Sequence, residues 1–248
     1  MRIIYILWLR QIRRYWRTKS RILGFMGQPL LFLLGFGFGF KGTFAKAGGG
    51  DYIQFLTPGI VAQAIIFVAV FSGVELIWDK QFGFLKETLV APVSRTKIIL
   101  GRTLGGATIA TLQGLLVFLL SLFFGFLPES WTSLPLVLLI MFLISFLYTS
   151  LGTAIASILK DFHGFQLIMT YLVMPSFFLS GALFPIDSAP KTLQSIIKIN
   201  PLTYGVDGLR QVLTGLKHFG FYSDLLILVF ISTLLLFIAS WLFSKIEA

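Results

Sequence analysis

Few side chains in this sequence can do chemistry by themselves. There are two histidines, His163 and His218, and no cysteine. That removes disulfides, thiolate metal sites and cysteine catalysis, and leaves the redox compartment open. A membrane-embedded enzyme needs a nucleophile with a base in reach, or a cluster of metal ligands. His163 has only the nearby Asp161, and His218 has no carboxylate at helical ligand spacing, so both read as interfacial polar residues. No Gly-x-x-x-x-Gly-Lys-Ser/Thr phosphate loop occurs, so active transport would need a second chain to bind and hydrolyse nucleotide. A proton or sodium relay needs ionisable groups near the middle of a span. Glu75, Arg102 and Asp224 fall at the ends of apolar runs, and the deeper Gln63 and Gln113 are uncharged. An ion-coupled secondary transporter is therefore the weaker alternative, with backbone carbonyls left as its only sodium ligands.

The elements that hold these residues are membrane helices. Of 248 residues 56% are hydrophobic and 12% charged, and the mean hydropathy is +0.90, which fits an all-α integral membrane protein and no soluble domain of this length. The formal charge of +10 clusters beside apolar runs, where it sets topology and meets anionic lipid; nucleic acid is not an expected partner. The N-terminus does not read as a cleavable signal, because Arg10, Arg13, Arg14 and Arg17 break its first apolar run. Over residues 1–20 these arginines and Arg2 share one helical face, while Ile4, Tyr5, Trp8, Leu9, Ile12, Tyr15 and Trp16 share the other. That pattern predicts an interfacial amphipathic helix, aromatic side in the headgroups and arginines toward lipid phosphate.

Six spans are expected within one membrane domain covering 1–248, at about 22–40, 55–77, 98–126, 134–159, 165–184 and 225–243, each near the ~20 residues that cross a bilayer. The FGFGF ending of the first reads as a small-residue packing face or a loosened helix end. This topology puts about fourteen Lys and Arg on one side and about six on the other. The richer side is the cytoplasm, so a multi-pass protein of the cytoplasmic membrane with both termini inside is expected. Between spans five and six, Leu193, Ile196 and Ile197 form one short apolar stripe, and Leu202, Val206, Leu209, Leu213 and Leu216 a second. Both are too short to cross, so they read as interfacial or re-entrant helices capping the outer face. Asn200 before Pro201 opens the second helix. Asp207 and Arg210, three apart, are placed to pair on its exposed face, as surface architecture or as a gating contact.

Work enters most plausibly through Trp78–Arg102, a charged, Gly- and Pro-punctuated stretch between spans two and three. Lys80, Lys86, Arg95, Lys97 and Arg102 hold it inside. Phe82, Leu85 and Leu89 lie on one face of a short helix that Pro92 ends. An apolar-faced helix below a membrane is shaped to dock into a partner; a solvated linker is the plain alternative.

Three stretches resemble the permease subunits of type-2 ABC exporters, the branch with antibiotic-resistance and nodulation-oligosaccharide permeases. They are the basic N-terminal helix leading to Gln28, Pro29 and FGFGF; FGFLKETLVAPVSRTKIILGR; and FFLSGALFPIDSAP followed by INPLTYGVDGLR. The resemblance implies that Gly83 to Ala91 is the first cytoplasmic coupling helix. Within and beside it Phe82, Leu85, Lys86, Glu87 and Leu89 would meet the ATPase, and Pro92, Ser94 and Arg95 would form the turn into span three. Asp161 and His163 would belong to a second, smaller contact. Ser180, Gly181 and Pro185 would lie at the outer end of span five, and Asn200, Pro201, Tyr204, Asp207 and Arg210 in the outer cap. It further implies two ATPase subunits, which bind ATP and Mg, and a second permease, identical or closely related, with no cofactor in this chain and a prokaryotic inner membrane as its place. Phenylalanine outnumbers tyrosine and tryptophan, 27 against 7 and 5. It offers surface without a hydrogen-bonding tip, which favours a drug-like, lipophilic or amphiphilic substrate, as in multidrug export, over a polysaccharide or glycolipid, unless the rings simply face lipid.

Overall fold

A computed structural model describes residues 2–46, 50–85, 93–159 and 161–246 of the chain. Among these residues every regular element is helical. In chain order they are α1 (Arg2–Arg17), α2 (Lys19–Gly39), α3 (Lys41–Lys46), α4 (Tyr52–Phe71), α5 (Val74–Gln81), α6 (Arg95–Phe123), α7 (Leu134–Ile158), α8 (Phe162–Ile168), α9 (Met174–Phe178), α10 (Lys191–Ile199), α11 (Pro201–Thr214) and α12 (Phe221–Ser244), with short turns of tighter or wider helix between some of them. Five helical stretches among the described residues are long and apolar enough to cross a membrane: α2, α4 with α5, α6, α7 with the turn before it, and α12. All five overlap expected spans.

The remaining apolar run, expected to cross at 165–184, is built differently. It is α8, a π-helical turn over Met169–Val173, and α9. The N–H of Met174 reaches back five residues to the carbonyl of Met169, and Pro175 follows with no N–H to continue the ordinary ladder. The helix stops at Phe178, and carbonyls at its end are satisfied from outside. Asn200 Nδ2 donates to Ser176 O at 2.6 Å and Leu179 O at 2.9 Å, and Gly181 turns the chain at φ +71°.

Span two is the axis of the bundle. Nearly every side chain of α4 is buried, from Tyr52 to Val70, because α2, α6, α7 and α11 all pack on it. By contrast α2 and α12 bury a narrow edge and expose large apolar side chains, among them Leu23, Leu31 and Phe38, and Leu226, Phe230 and Phe237. Helices that are apolar all round belong in lipid or against other apolar protein.

Where spans two, three and four meet, there is no room for side chains. A Cβ on Gly73 would lie 2.3 Å from the carbonyl oxygen of Gly152, and one on Gly152 would lie 2.4 Å from that of Val70. On α6, a Cβ on Gly106 would lie 2.6 Å from Ser72 Oγ and 2.7 Å from Thr149 Cγ2. Small residues give such backbones their close van der Waals contact, the main cohesive force between helices in lipid. Gly35 of α2 has nothing within 4 Å of the same position. Gly152→Val is therefore expected to lower stability by about 1–3 kcal/mol, seen as a reduced thermal midpoint in detergent, while Gly35→Ala leaves the midpoint unchanged or raises it.

Candidate functional site

The basic end of the bundle is organised by two carboxylates one helical turn apart. Glu75 and Asp79 sit at i and i+4 on α5 and therefore share a face. They are only 3% and 5% exposed. A buried carboxylate without a counter-charge is strongly unfavourable, and four arginines from three helices supply it. Arg21, in the first turn of α2, lies 2.7 Å from Glu75, and Arg14 of α1 lies 4.0 Å from the same carboxylate. Arg102 of α6, itself buried, pairs with Asp79, and Arg10 of α1 approaches Asp79 at 3.7 Å. Glu75 also occupies the first turn of α5, where the helix dipole favours an anion. The Arg21 guanidinium rests near the rings of Phe71 and Phe25, 5.4 and 5.8 Å from their centres.

These contacts add a protein partner to α1. It is an amphipathic helix, and Trp8 and Tyr15 of its aromatic side pack on α6 while Tyr5 and Trp16 stay exposed. A Cβ at Gly105 would lie 2.7 Å from Gln11 Cβ, and one at Gly101 3.0 Å from Leu7 Cβ. Trp8 Nε1 donates to Thr108 Oγ1 at 3.0 Å. The Tyr15 hydroxyl donates to Gln113 Oε1, and its burial pushes its pKa up to about 12 against the opposing pull of Arg21. Arg10 and Arg14 turn toward protein carboxylates, whereas Trp16, Arg13 and Arg17 stay exposed.

Beyond α5 the chain enters the stretch expected to dock. Phe82 is 71% exposed and Gly83 turns the backbone at φ +80°. Leu85 differs from its expected outward orientation: at 3% exposure it packs into this chain's own core, and among the described residues of the stretch Phe82 and Phe84 are the exposed large apolar side chains. Lys86, Glu87, Leu89 and Pro92 lie outside the described residues. At the neighbouring turn, Asp161 caps α8 by accepting the Gly164 N–H at 2.7 Å, and His163 is exposed; Lys160 lies outside the described residues.

At the far end the outer-cap residues come together, with one correction. Asp207 and Arg210 are 2% and 6% exposed and do not pair on a surface. Arg210 donates to Gly181 O at 2.9 Å and to Phe55 O at 3.3 and 3.4 Å, and its guanidinium carbon stands 4.0 Å from the centre of the Phe55 ring. Burial draws its pKa down to about 10, with Asp207 and Tyr52 opposing. Asp207 instead accepts the backbone N–H groups of His218 and Phe219. His218, which has no carboxylate near in sequence, meets Asp187 at 3.3 Å. Asn200 accepts the Leu202 N–H, opening α11 at Pro201. Tyr204 donates to Lys198 O at 2.6 Å, and Ser180 donates to Phe177 O.

Beside this cap lies a largely apolar cavity of about 340 Å³ lined by Phe36, Phe40, Phe44, Tyr52 and Phe184 together with Thr43, Leu183 and Pro185. Phe44 and Tyr52 are 4.8 Å apart between ring centres, and the Tyr52 hydroxyl is committed to Leu183 O at 2.8 Å. Two of the phenylalanines belong to FGFGF, at whose Gly37 an added Cβ would lie 3.5 Å from Ile53 Cγ1. The motif forms one wall of the cavity, which spacing alone did not reveal. The ionic collar was equally unassigned, although a Glu and an Asp four apart beside an arginine-rich helix were its signal.

Similarity to known proteins agrees with this architecture. The chain is similar to the ycf38 transport permease of Porphyra purpurea, 31% identical over 82% of this chain and 71% of that protein. Nodulation protein J of Rhizobium leguminosarum bv. trifolii is 27% identical over 85% of this chain and 78% of its own. The inner membrane transport permease YadH of Escherichia coli K12 is 27% identical, over 85% and 82%. Residues 2–214, the stretch holding the collar, the loop between α5 and α6, and α10 and α11, match the family model described as ABC-2 type transporter, and the chain belongs to that family.

Proposed function

We propose that this chain is the permease subunit of an ATP-driven exporter in a cytoplasmic membrane, with the basic end and both termini in the cytoplasm. Two copies of a separate ABC ATPase bind ATP and Mg, and a second permease chain completes the pathway. The observation that carries the reading is mechanical. The docking loop is bracketed by α5 and α6; Asp79 of α5 is fastened by charge to Arg102 of α6 and Arg10 of α1, and α1 packs along α6, so a push on the loop moves packed helices instead of being absorbed by a tether. The absence of a phosphate loop from the sequence supports placing ATP on a partner. The exposed apolar edges of α2 and α12 suit lipid and a second permease.

The substrate we favour is lipophilic or amphiphilic. The cavity at the far end is lined mostly by aromatic and aliphatic side chains, its tyrosine hydroxyl is already bonded, and Thr43 is the one further polar side chain in its lining that could meet a glycan. A polysaccharide or glycolipid substrate is the second reading, kept by the likeness to relatives named nodulation protein J.

Phe82→Asp and Glu87→Arg should leave the chain inserted but weaken binding to the ATPase about tenfold, equal to ~1.4 kcal/mol, with stimulation of ATP hydrolysis lost. Retained binding and stimulation in both variants would remove the loop from the contact. For the collar, Asp79→Asn and Arg102→Met should each lower stability by roughly 3 kcal/mol by stranding a buried partner, and the double variant should recover part of that loss. Additive losses in thermal unfolding would show that the pair does not interact. In proteoliposomes with the co-purified ATPase, Phe44→Ala is expected to slow ATP-dependent movement of an amphiphilic dye about tenfold; ATP-dependent movement of a glycolipid and not of the dye would favour the second reading.

A further inference from the structure

Cationic side chains stand at both borders of the docking loop, and each reaches into the end of a helix that is remote in sequence. Lys80 lies in the last turn of α5. Its Nζ donates to Ala156 O at 2.7 Å, Ser157 O at 2.8 Å and Leu159 O at 3.2 Å, the final carbonyls of α7 and the residue after it. Arg95 is the first residue of α6. Its Nη1 donates to Ser244 O at 2.7 Å, Ile246 O at 2.6 Å and Phe243 O at 3.4 Å, where α12 ends.

The last carbonyls of a helix have no intrahelical partner and carry the negative end of its dipole, so a cation placed there is favoured. Arg95 gains nothing of the kind from its own helix, since a positive charge in the first turn of α6 opposes that dipole. Its placement is accounted for by α12, 148 residues further along the chain at Phe243. Lys80 similarly bypasses the end of α5 for that of α7. Neither bond is needed to bring the helices together, because α4 and α7 already touch through Gly73 and Gly152, and α12 packs along both α6 and α7.

We propose that Lys80 and Arg95 are positioning residues that tie the docking loop to α7 and α12, so that displacement of the loop reaches four spans instead of the two it connects. Lys80 has a second consequence. Leu159 O lies two residues before Asp161, so the same ammonium joins the docking loop to the turn carrying Asp161 and His163. The inference rests on the reading of the loop as the ATPase contact.

The test is hydrogen exchange read by mass spectrometry on the full permease with its co-purified ATPase in nanodiscs, without nucleotide and trapped with ATP and vanadate. The parent chain should show nucleotide-dependent changes at 95–105, 155–165 and 238–246. Lys80→Met should lose the change at 155–165, and Arg95→Met the change at 238–246, each keeping the change at 95–105. Lys80→Arg should retain it. If nucleotide still alters both helix ends in the Met variants, the ties do not transmit and the proposal falls while the docking loop stands. If the parent shows no nucleotide-dependent change at 95–105, the docking reading falls and takes the proposal with it. Should Lys80→Met fail to assemble, Lys80→Arg against Lys80→Gln decides: retention in the first with loss in the second supports the tie, and equal behaviour overturns it.

Discussion

Two carboxylates buried at the edge of a membrane impose more on this chain than any other pair of residues. Glu75 and Asp79 point the same way from α5, and their burial is tolerable only if positive charge is brought to them. Arg21 fixes the start of α2, Arg102 fixes a level on α6, and Arg10 and Arg14 draw α1 across the end of the bundle. A helix that composition alone would leave floating on lipid thus becomes a strut against span three. Glycines at 101 and 105 let the strut approach closely enough for Trp8 and Tyr15 to bond inside it. The collar and the close contact are mutually dependent: charge sets the register of α1, and packing keeps Glu75, Asp79 and Arg102 buried while Arg10 and Arg14 reach them from the surface.

The apolar runs were legible in the sequence because hydropathy is a local property, and the helices found at α2, α4, α6, α7 and α12 follow from it. The capping role of Asn200 before Pro201 was legible for the same reason. What could not be read was the partner that meets a given face. Spacing puts Asp207 and Arg210 in reach of each other, yet each bonds to backbone elsewhere. Asp207 takes two backbone N–H groups in the turn before α12, and Arg210 takes carbonyls of α4 and of the loop at Gly181. Periodicity likewise grouped Leu85 with Phe82, and only the tertiary fold turns Leu85 inward. The shortened fifth run depended on Asn200 reaching Ser176 and Leu179, contacts made across more than twenty residues.

A common logic links the two ends of the bundle. Backbone that leaves a regular helix near lipid needs its polar groups satisfied by the protein. At the far end Asn200 and Arg210 do this for the carbonyls around the broken run and for Phe55. At the basic end Lys80 and Arg95 do it for the ends of α7 and α12. In each case one polar side chain holds carbonyls from another segment, so the irregular backbone becomes a joint between elements.

The distribution of packing then decides which parts can shift as bodies. Spans two and four touch backbone to backbone at Gly73 and Gly152, and span three closes on them at Gly106 against the short side chains of Ser72 and Thr149. Such a contact resists continuous deformation and favours movement of the three together. Span one and the α8–α9 run have less of their surface inside the chain, and α8–α9 carries a π-turn, a local irregularity that often marks a functional position. The loop between spans two and three therefore joins two of the helices that are held in this close contact. Relative motion is left to the surfaces where this core meets α2, the broken run and whatever apolar surface lies beyond them.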